Sequence, residues 1–370
     1  MTERKMEELE FKAAVDVDGD LYFSAWRMNA LFKRDGESGT IIYLGRVAEE
    51  TKERNLHGGA YYYNECVYFI PSAAKYIAKL HITDQKIEAI EIPKIGGKNY
   101  RISFFSSVRL NDEIWLIPYD TDKMFKLDLR TDEVELCVDW TAERQTKINL
   151  FWDGICISNY LCLCPAEYPY FVTYDLKEKK LHNWEWEYPP NAFSKMIYHK
   201  DYLWFLPDGT YPYILKYSLK DKKGVLLDLP KDIIEEMKEA WGGAIRMDDI
   251  IIFPPYKSNY WLIVDTDTNR MECVPFETNG KLANYRYPLY QFMNYFHDGV
   301  IVMGDQCEEG HFIAENIKER QQIAFIMDEN AKSAYMRDIK LQGATKEIAF
   351  YERDFSLQRF LDMITEDDSV

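Results

Sequence analysis

Three side chains of this sequence are of the types that move protons or clamp anions: His57, Arg101 and Asp153. An imidazole and a carboxylate can exchange a proton with substrate, and a guanidinium can neutralise a carboxylate beside them. Hydrolysis of a glycoside needs two carboxylates set across the substrate, whereas elimination needs a base and a charge-neutralising group near one carbon. No local spacing announces either arrangement. The six His, at 57, 81, 182, 199, 297 and 311, form no HxH or HExxH pair, so no metal motif is readable and no cofactor is expected. A G-x-S-x-G elbow, a P-loop and a dinucleotide fingerprint are likewise missing from the sequence.

The second chemical resource is aromatic. With 27 Tyr and nine Trp, the chain holds more amphipathic rings than a core requires. Flat rings cover a sugar face or receive aliphatic side chains, while nearby charges fix orientation. The candidate ligand-binding set is Trp26, Arg27, His57, Arg101, Tyr119, Trp152, Asp153, Tyr168, Tyr211, Trp241 and Tyr256. These residues lie hundreds of positions apart, so only a fold that returns repeatedly to one face can gather them.

Such a fold is written in the sequence as a repeat. The stretch from Glu113 to Val134 reads as an apolar strand ending at Pro118, a second alternating strand, and a turn at Arg130 to Glu133. Variants recur as "VYFIPSAAKYIAKLHITDQKI", "LCLCPAEYPYFVTYDLKEKKL", "LWFLPDGTYPYILKYSLKDKK" and "IIFPPYKSNYWLIVDTDTNRM". Marks at Ala25, Pro71, Pro118, Pro165, Pro207, Pro254 and Gly304 are separated by 46, 47, 47, 42, 47 and 50 residues. A second set, Asp35, His81, Asp128, Asp175, Ser218, Asp265 and Glu315, keeps step with the first. This spacing is that of a four-stranded propeller blade, and seven such units can close a ring.

The expected architecture is all-β: a seven-bladed β-propeller of four-stranded antiparallel blades over residues 8–329, with a short C-terminal helical tail. Blades are expected at 8–50, 54–95, 99–140, 148–188, 191–229, 241–277 and 287–329. A short helix is predicted after Pro230, in "PKDIIEEMKEAWGG". In residues 330–370, "AKSAYMRDIK" reads as a strand or an edge cover and "DFSLQRFLDMI" as a final helix. In a propeller the leading end of each blade's first strand shares a face with the loop between strands two and three, which is what would bring the candidate set together.

The repeat resembles kelch-like or galactose-oxidase-type propellers, on the recurring "W-L-I-P…K-x-D-L" units over about residues 8 to 329. On the expected inner strands the Gly-Gly doublet of kelch blades is matched at Gly58-Gly59 and Gly242-Gly243, and no repeating Gly-His/Trp-Asp pair of the WD40 kind occurs. The resemblance implies a fold; it carries no catalytic set onto these positions.

Composition bounds the partners. A formal net charge of -17, from 62 acidic and 45 basic residues without a basic block, disfavours nucleic acid and anionic membrane. No run of eighteen apolar residues occurs, so no membrane insertion is expected. Seven Cys without a CxxC pair read as reduced thiols, and a cytoplasmic location is expected. Cys162 and Cys164 alternate along one strand face and read as small buried hydrophobes. The function expected from these features is a binding or scaffold module that recognises a protein, peptide or glycan through an aromatic-rich channel face. The alternative is a carbohydrate-active hydrolase or lyase that uses His57, Arg101 and Asp153 on that face.

Overall fold

The computed structural model describes residues 9, 11–26, 28–50, 55–93, 103–141, 148–208, 211–231, 244–254, 260–275, 290–297, 300–305, 311–314, 320–323 and 328–341. Among them are seven four-stranded antiparallel sheets, each built from four consecutive strands. The sheets span 11–45, 57–91, 104–139, 151–185, 193–228, 245–275 and 290–323. The first strands of sheets one to five stand side by side, and the first strand of sheet seven lies against that of sheet one. These are the blades of a β-propeller, with first strands innermost and fourth strands outermost.

Strand type follows burial. The second strands, such as Cys66–Pro71, Glu113–Pro118 and Tyr202–Pro207, are buried along nearly their whole length, because both faces of each sheet meet a neighbour. That demands an apolar run rather than an alternation. The outer strands Glu133–Asp139 and Lys223–Asp228 are largely exposed and polar. The core is therefore distributed between blades: Ile114, Leu116 and Phe125 pack on Tyr68 and Ile77 of the preceding sheet. Trp115, Ile117 and Met124 pack on Phe151, Leu161 and Leu163 of the following one. Cys162 and Cys164 are both buried in the next such layer, against Phe193 and Phe205. Of the alternating pair Trp184 and Trp186, Trp184 is 43% exposed, while Trp186 turns inward onto Phe171 and Phe205 beyond the end of its strand.

The recurring Pro marks have a structural reason. Pro71, Pro118, Pro165 and Pro207 each pair with the first residue of the inner strand, and in every case the register slips by one at the next pair. Proline has no N–H to give a ladder and so is accommodated at this β-bulge, which sheet one also forms, at Ala25. The extra residues are Gly58, Phe105, Trp152 and Ser194, with Lys12 in the corresponding slip of sheet one. Gly59, just past its bulge, lies where a Cβ would stand 2.7 Å from Ser107 Oγ of the next blade, so the inner strands approach closely here.

The second marks close hairpins. Asp128, Asp175 and Asp265 each accept backbone N–H groups two or three residues on, from Arg130, from Lys177 and Glu178, and from Asp267 and Thr268. Four residues after the mark comes a left-handed residue, as at Asp132 (φ 60°), Lys179 (φ 54°) and Asn269 (φ 57°). Its side chain reaches the preceding blade: Asp132 accepts hydrogen bonds from Tyr68 Oη at 2.8 Å and Lys79 Nζ at 2.5 Å.

Of the two readings of "AKSAYMRDIK", strand or edge cover, the segment is a cover: Glu329–Leu341 is an α-helix, started by Asp328, whose Oδ1 accepts the Ala331 N–H at 2.8 Å. Ala331 and Tyr335, one turn apart, bury against sheet one, and Tyr43 Oη donates to Asp338 at 2.6 Å. The helix thus covers the outer strand Ile41–Gly45. The segments "DFSLQRFLDMI" and 232–243, where further helices are expected, lie outside the described residues.

Candidate functional site

The residue after each Pro mark is held from two sides. Tyr119 N–H donates to Ser103 O at 2.9 Å, ahead of its own inner strand, while Tyr119 O accepts the Leu150 N–H of the next blade at 2.8 Å. Ser72 bonds in the same way to Leu56 and Ser103, and Ala166 to Leu150 and Asn191. These paired bonds, with the single bonds from Asn55 N–H to Trp26 O and from Asp208 N–H to Ala192 O, bring Trp26, Ser72, Tyr119, Ala166 and Asp208 to equivalent places around the axis, at the end where the bulges lie.

Bulge and loop together assemble an aromatic cluster. Phe105 and Trp152, the extra residues of sheets three and four, meet at 4.8 Å edge to face, and Tyr119 stands 5.3 Å from Phe105 and 4.6 Å from Trp152. Trp152 Nε1 donates to Asn191 Oδ1 at 3.0 Å, which fixes the indole plane. Burial pushes the Tyr119 phenol up to about 12, and the negative charges of Glu167, Asp208 and Asp120 add to the shift. All three carboxylates thus act on Tyr119 through their charge. Glu167 is oriented by the Asn149 N–H at 3.0 Å and by its Nδ2 at 3.3 Å.

Asp153 lies just past the bulge and is 4% exposed. It accepts the Ser106 hydroxyl at 2.6 Å from blade three, and Lys195 Nζ at 3.1 Å and the Met196 N–H at 3.2 Å from blade five. One carboxylate thus joins three inner strands. Its observed cation is Lys195; Arg101, with Arg27, Trp241 and Tyr256, lies outside the described residues. His57 heads the inner strand of blade two and is 3% exposed, with Nδ1 2.7 Å from Ser24 Oγ of blade one and its ring against Phe69. Burial pushes the imidazole down to about 3, so it is neutral at physiological pH. His57 and Asp153 are separated by the inner strand of blade three, which runs between theirs.

Of the remaining candidates, Tyr168 and Tyr211 lie further along their loops than Tyr119 does in its own. Each packs edge to face on the first residue of its inner strand, Phe151 at 5.5 Å and Phe193 at 5.2 Å. Trp26 holds the Asn55 N–H through its carbonyl at 2.8 Å. The structure therefore brings Tyr119 and Trp152 together and sets Asp153 beneath them in the same strand as Trp152. Phe105, Ser106 and Lys195 belong to the site without having been singled out in the sequence. Their signal is a recurring triplet at the inner-strand start, Phe104-Phe105-Ser106, Phe151-Trp152-Asp153 and Phe193-Ser194-Lys195.

Among the described residues, no group of three or more His, Cys, Asp or Glu is placed to hold a metal ion, and no helix is long and apolar enough to cross a membrane. Among the described residues Cys66, Cys137, Cys156, Cys162 and Cys164 are free thiols, and burial pushes the Cys162 thiol up to about 12.

No protein-family profile matches the chain, and no curated protein matches it. Solved structures do. The chain is similar to virginiamycin B lyase from Staphylococcus aureus at 13% identity and TM-score 0.58, over 81% of this chain and 95% of that one. BamB from Moraxella catarrhalis follows at 10% identity and TM-score 0.53, over 80% and 82%. PorZ, a surface component of the type-IX secretion system of Porphyromonas gingivalis, aligns at 10% identity and TM-score 0.56, over 86% of this chain and 38% of that one. All three are β-propellers, and at these identities the likeness is one of fold.

Proposed function

We propose that the chain is a binding module whose axial face, at the end of the bulges, takes a protein or peptide segment carrying a cationic side chain, or a glycan. The observation that carries this is the Phe105, Tyr119 and Trp152 cluster, on whose Tyr119 the negative charges of Glu167, Asp208 and Asp120 act. Aromatic faces attract a cation through the ring quadrupole, and carboxylates close by add Coulomb attraction. The same rings can cover a pyranose while the carboxylates accept its hydroxyls. Kelch-like or galactose-oxidase-type kinship belongs to this proposal, supported by the repeat spacing. So do a cytoplasmic site of action, which the free cysteines favour, and the division into a propeller at 8–329 and an extension at 330–370.

The enzymatic reading, carbohydrate hydrolysis or elimination, needs a titratable group offered to substrate. His57 is enclosed between blades and Asp153 is engaged by three donors, which favours binding over catalysis.

The test is capture of ligands from an array of Arg-, Lys- and Gly-containing peptides and of neutral and uronate glycans. Trp152→Ala and Tyr119→Ala are expected to weaken the captured ligand at least about tenfold, as aromatic anchors at interface centres do. Trp184→Ala, on the outer strand, is expected to leave it unchanged. Binding insensitive to Trp152 and Tyr119, or turnover of any glycan on the array, would refute the proposal.

A further inference from the structure

A lysine recurs on the third strand of four blades, opposite an aromatic residue of the second: Lys33 with Tyr22, Lys79 with Tyr68, Lys126 with Trp115 and Lys216 with Trp204. In each case the ammonium sits over the ring, at 5.8, 5.5, 5.7 and 4.6 Å from its centroid. The first three also have a carboxylate: Asp20 at 2.5 Å, Asp132 at 2.5 Å and Glu113 at 2.6 Å.

Lys216 does not share this. Its ammonium donates to Thr266 O at 3.2 Å and Asn269 Oδ1 at 2.7 Å, and among the described residues it forms no ion pair with a carboxylate. Asn269 occupies the position of Asp132, four residues past the end of the third strand, in the same left-handed conformation, reaching back to the preceding blade's lysine. An amide stands where blade three has the carboxylate of Asp132. Asp267 acts on Lys216 only through its charge, since its own Oδ1 is 2.7 Å from Lys200 Nζ. Burial correspondingly pulls the Lys216 ammonium below its ordinary range.

Beside this lysine, the outer rims of sheets five and six leave a cavity of about 540 Å³, lined by Tyr202, Lys216, Ser218, Lys223, Val225 and Leu227 together with Asn269 and Asp221. Its wall on sheet five is a single face, because Lys216 pairs with Val225 and Ser218 with Lys223 across the last two strands. Val225 is 59% exposed there. We propose that this cavity binds a small monocarboxylate with an apolar body. Its carboxylate takes at Lys216 the place that Asp132 holds at Lys79, and its body lies on Val225 and Leu227. The volume is that of a small-molecule site. An ammonium partly removed from water gains most from an opposite charge that also accepts its hydrogen bond. Asp221, which accepts the Ser218 hydroxyl at 2.9 Å, places a negative charge in the lining and disfavours a second carboxylate on the ligand.

The experiment titrates the protein with hexanoate, with hexylamine as the charge-reversed control, by saturation-transfer NMR. Lys216→Met keeps most of the length of the side chain and removes the charge; Asn269→Asp keeps Lys216 and places beside it the carboxylate that Asp132 supplies in blade three. Asp132 shows that Asp folds well at that left-handed position. Saturable hexanoate binding is expected, weakened at least about tenfold by each substitution, with hexylamine failing to compete. Hexanoate binding untouched by Asn269→Asp, an absence of saturable hexanoate binding, or tighter binding of a capped glutamyl peptide than of hexanoate would each overturn the proposal.

Discussion

His57 makes the stability of this propeller depend on pH in a way that one substitution should remove. The imidazole lies between blades one and two with Nδ1 on Ser24 Oγ, and its Nε2 is buried without a hydrogen-bond partner among the described residues. Protonation would leave an N–H and a positive charge there with nothing to receive them, which is why the folded-state value falls to about 3 from the ordinary 6.5. The unfolded chain binds this proton at the ordinary value. Between about pH 6.5 and pH 3 the unfolded state therefore holds more protons, so stability rises with pH across that window and falls on acidification. The contribution is fully present above the unfolded value and is lost at about 1.4 kcal/mol per pH unit below it, or about 2 kcal/mol by pH 5. His57→Asn can keep a hydrogen bond to Ser24 and does not titrate. Urea unfolding of both proteins at about pH 7.5 and about pH 5 measures the difference. The parent should lose about 2 kcal/mol more than the variant over this interval. Parallel losses in the two proteins would show that His57 is solvated or already charged, and the interblade account of it would fail.

Three further substitutions probe the inner ring. Asp153→Ala strands the Ser106 hydroxyl and the Met196 N–H and should cost about 3 kcal/mol in urea unfolding. Lys195→Met should cost about 0.5 kcal/mol, because the Lys195 side chain is 38% exposed and its charge is screened; equal costs would mean the ion pair, rather than the bonds to Ser106 and Met196, carries the effect. Gly154→Ala places a Cβ 2.7 Å from Ile117 Cδ1 and 2.9 Å from its Cγ1, and should lower stability by about 1–3 kcal/mol. Adding Ile117→Val should recover part of that loss, and no recovery would place the strain elsewhere.

The repeat was legible because its causes are local. A strand covered on both faces must be apolar throughout, a proline that withholds an N–H is tolerated where the ladder breaks in a bulge, and an Asp at the hairpin beyond takes the turn's N–H groups. Glu113 to Val134 shows all three within one stretch. Part of the site was legible for the same reason: Tyr119 follows the Pro mark and Trp152 begins an inner strand. Tyr168 and Tyr211 look equivalent in the sequence, but two or three residues of additional loop turn them onto Phe151 and Phe193. The tail segment "AKSAYMRDIK" is helical because Ala331 and Tyr335 find a surface on sheet one, which a reading by propensity does not contain.

What the sequence determined by itself, then, is the number of residues per blade, which strand is buried and where each hairpin closes, since periodicity and turn chemistry act over a few residues. Only the tertiary structure decided which side chains meet across blades. The bulge shifts the inner strand's phase by one residue and so aims Phe105 and Trp152 at each other. Lys195, 42 residues from Asp153, becomes its counter-ion. Asn269 leaves Lys216 without the carboxylate that its counterparts in blades one to three possess. Those pairings depend on how one sheet is seated against the next, a register set by packing between segments far apart in the chain rather than by the residues adjacent to either partner.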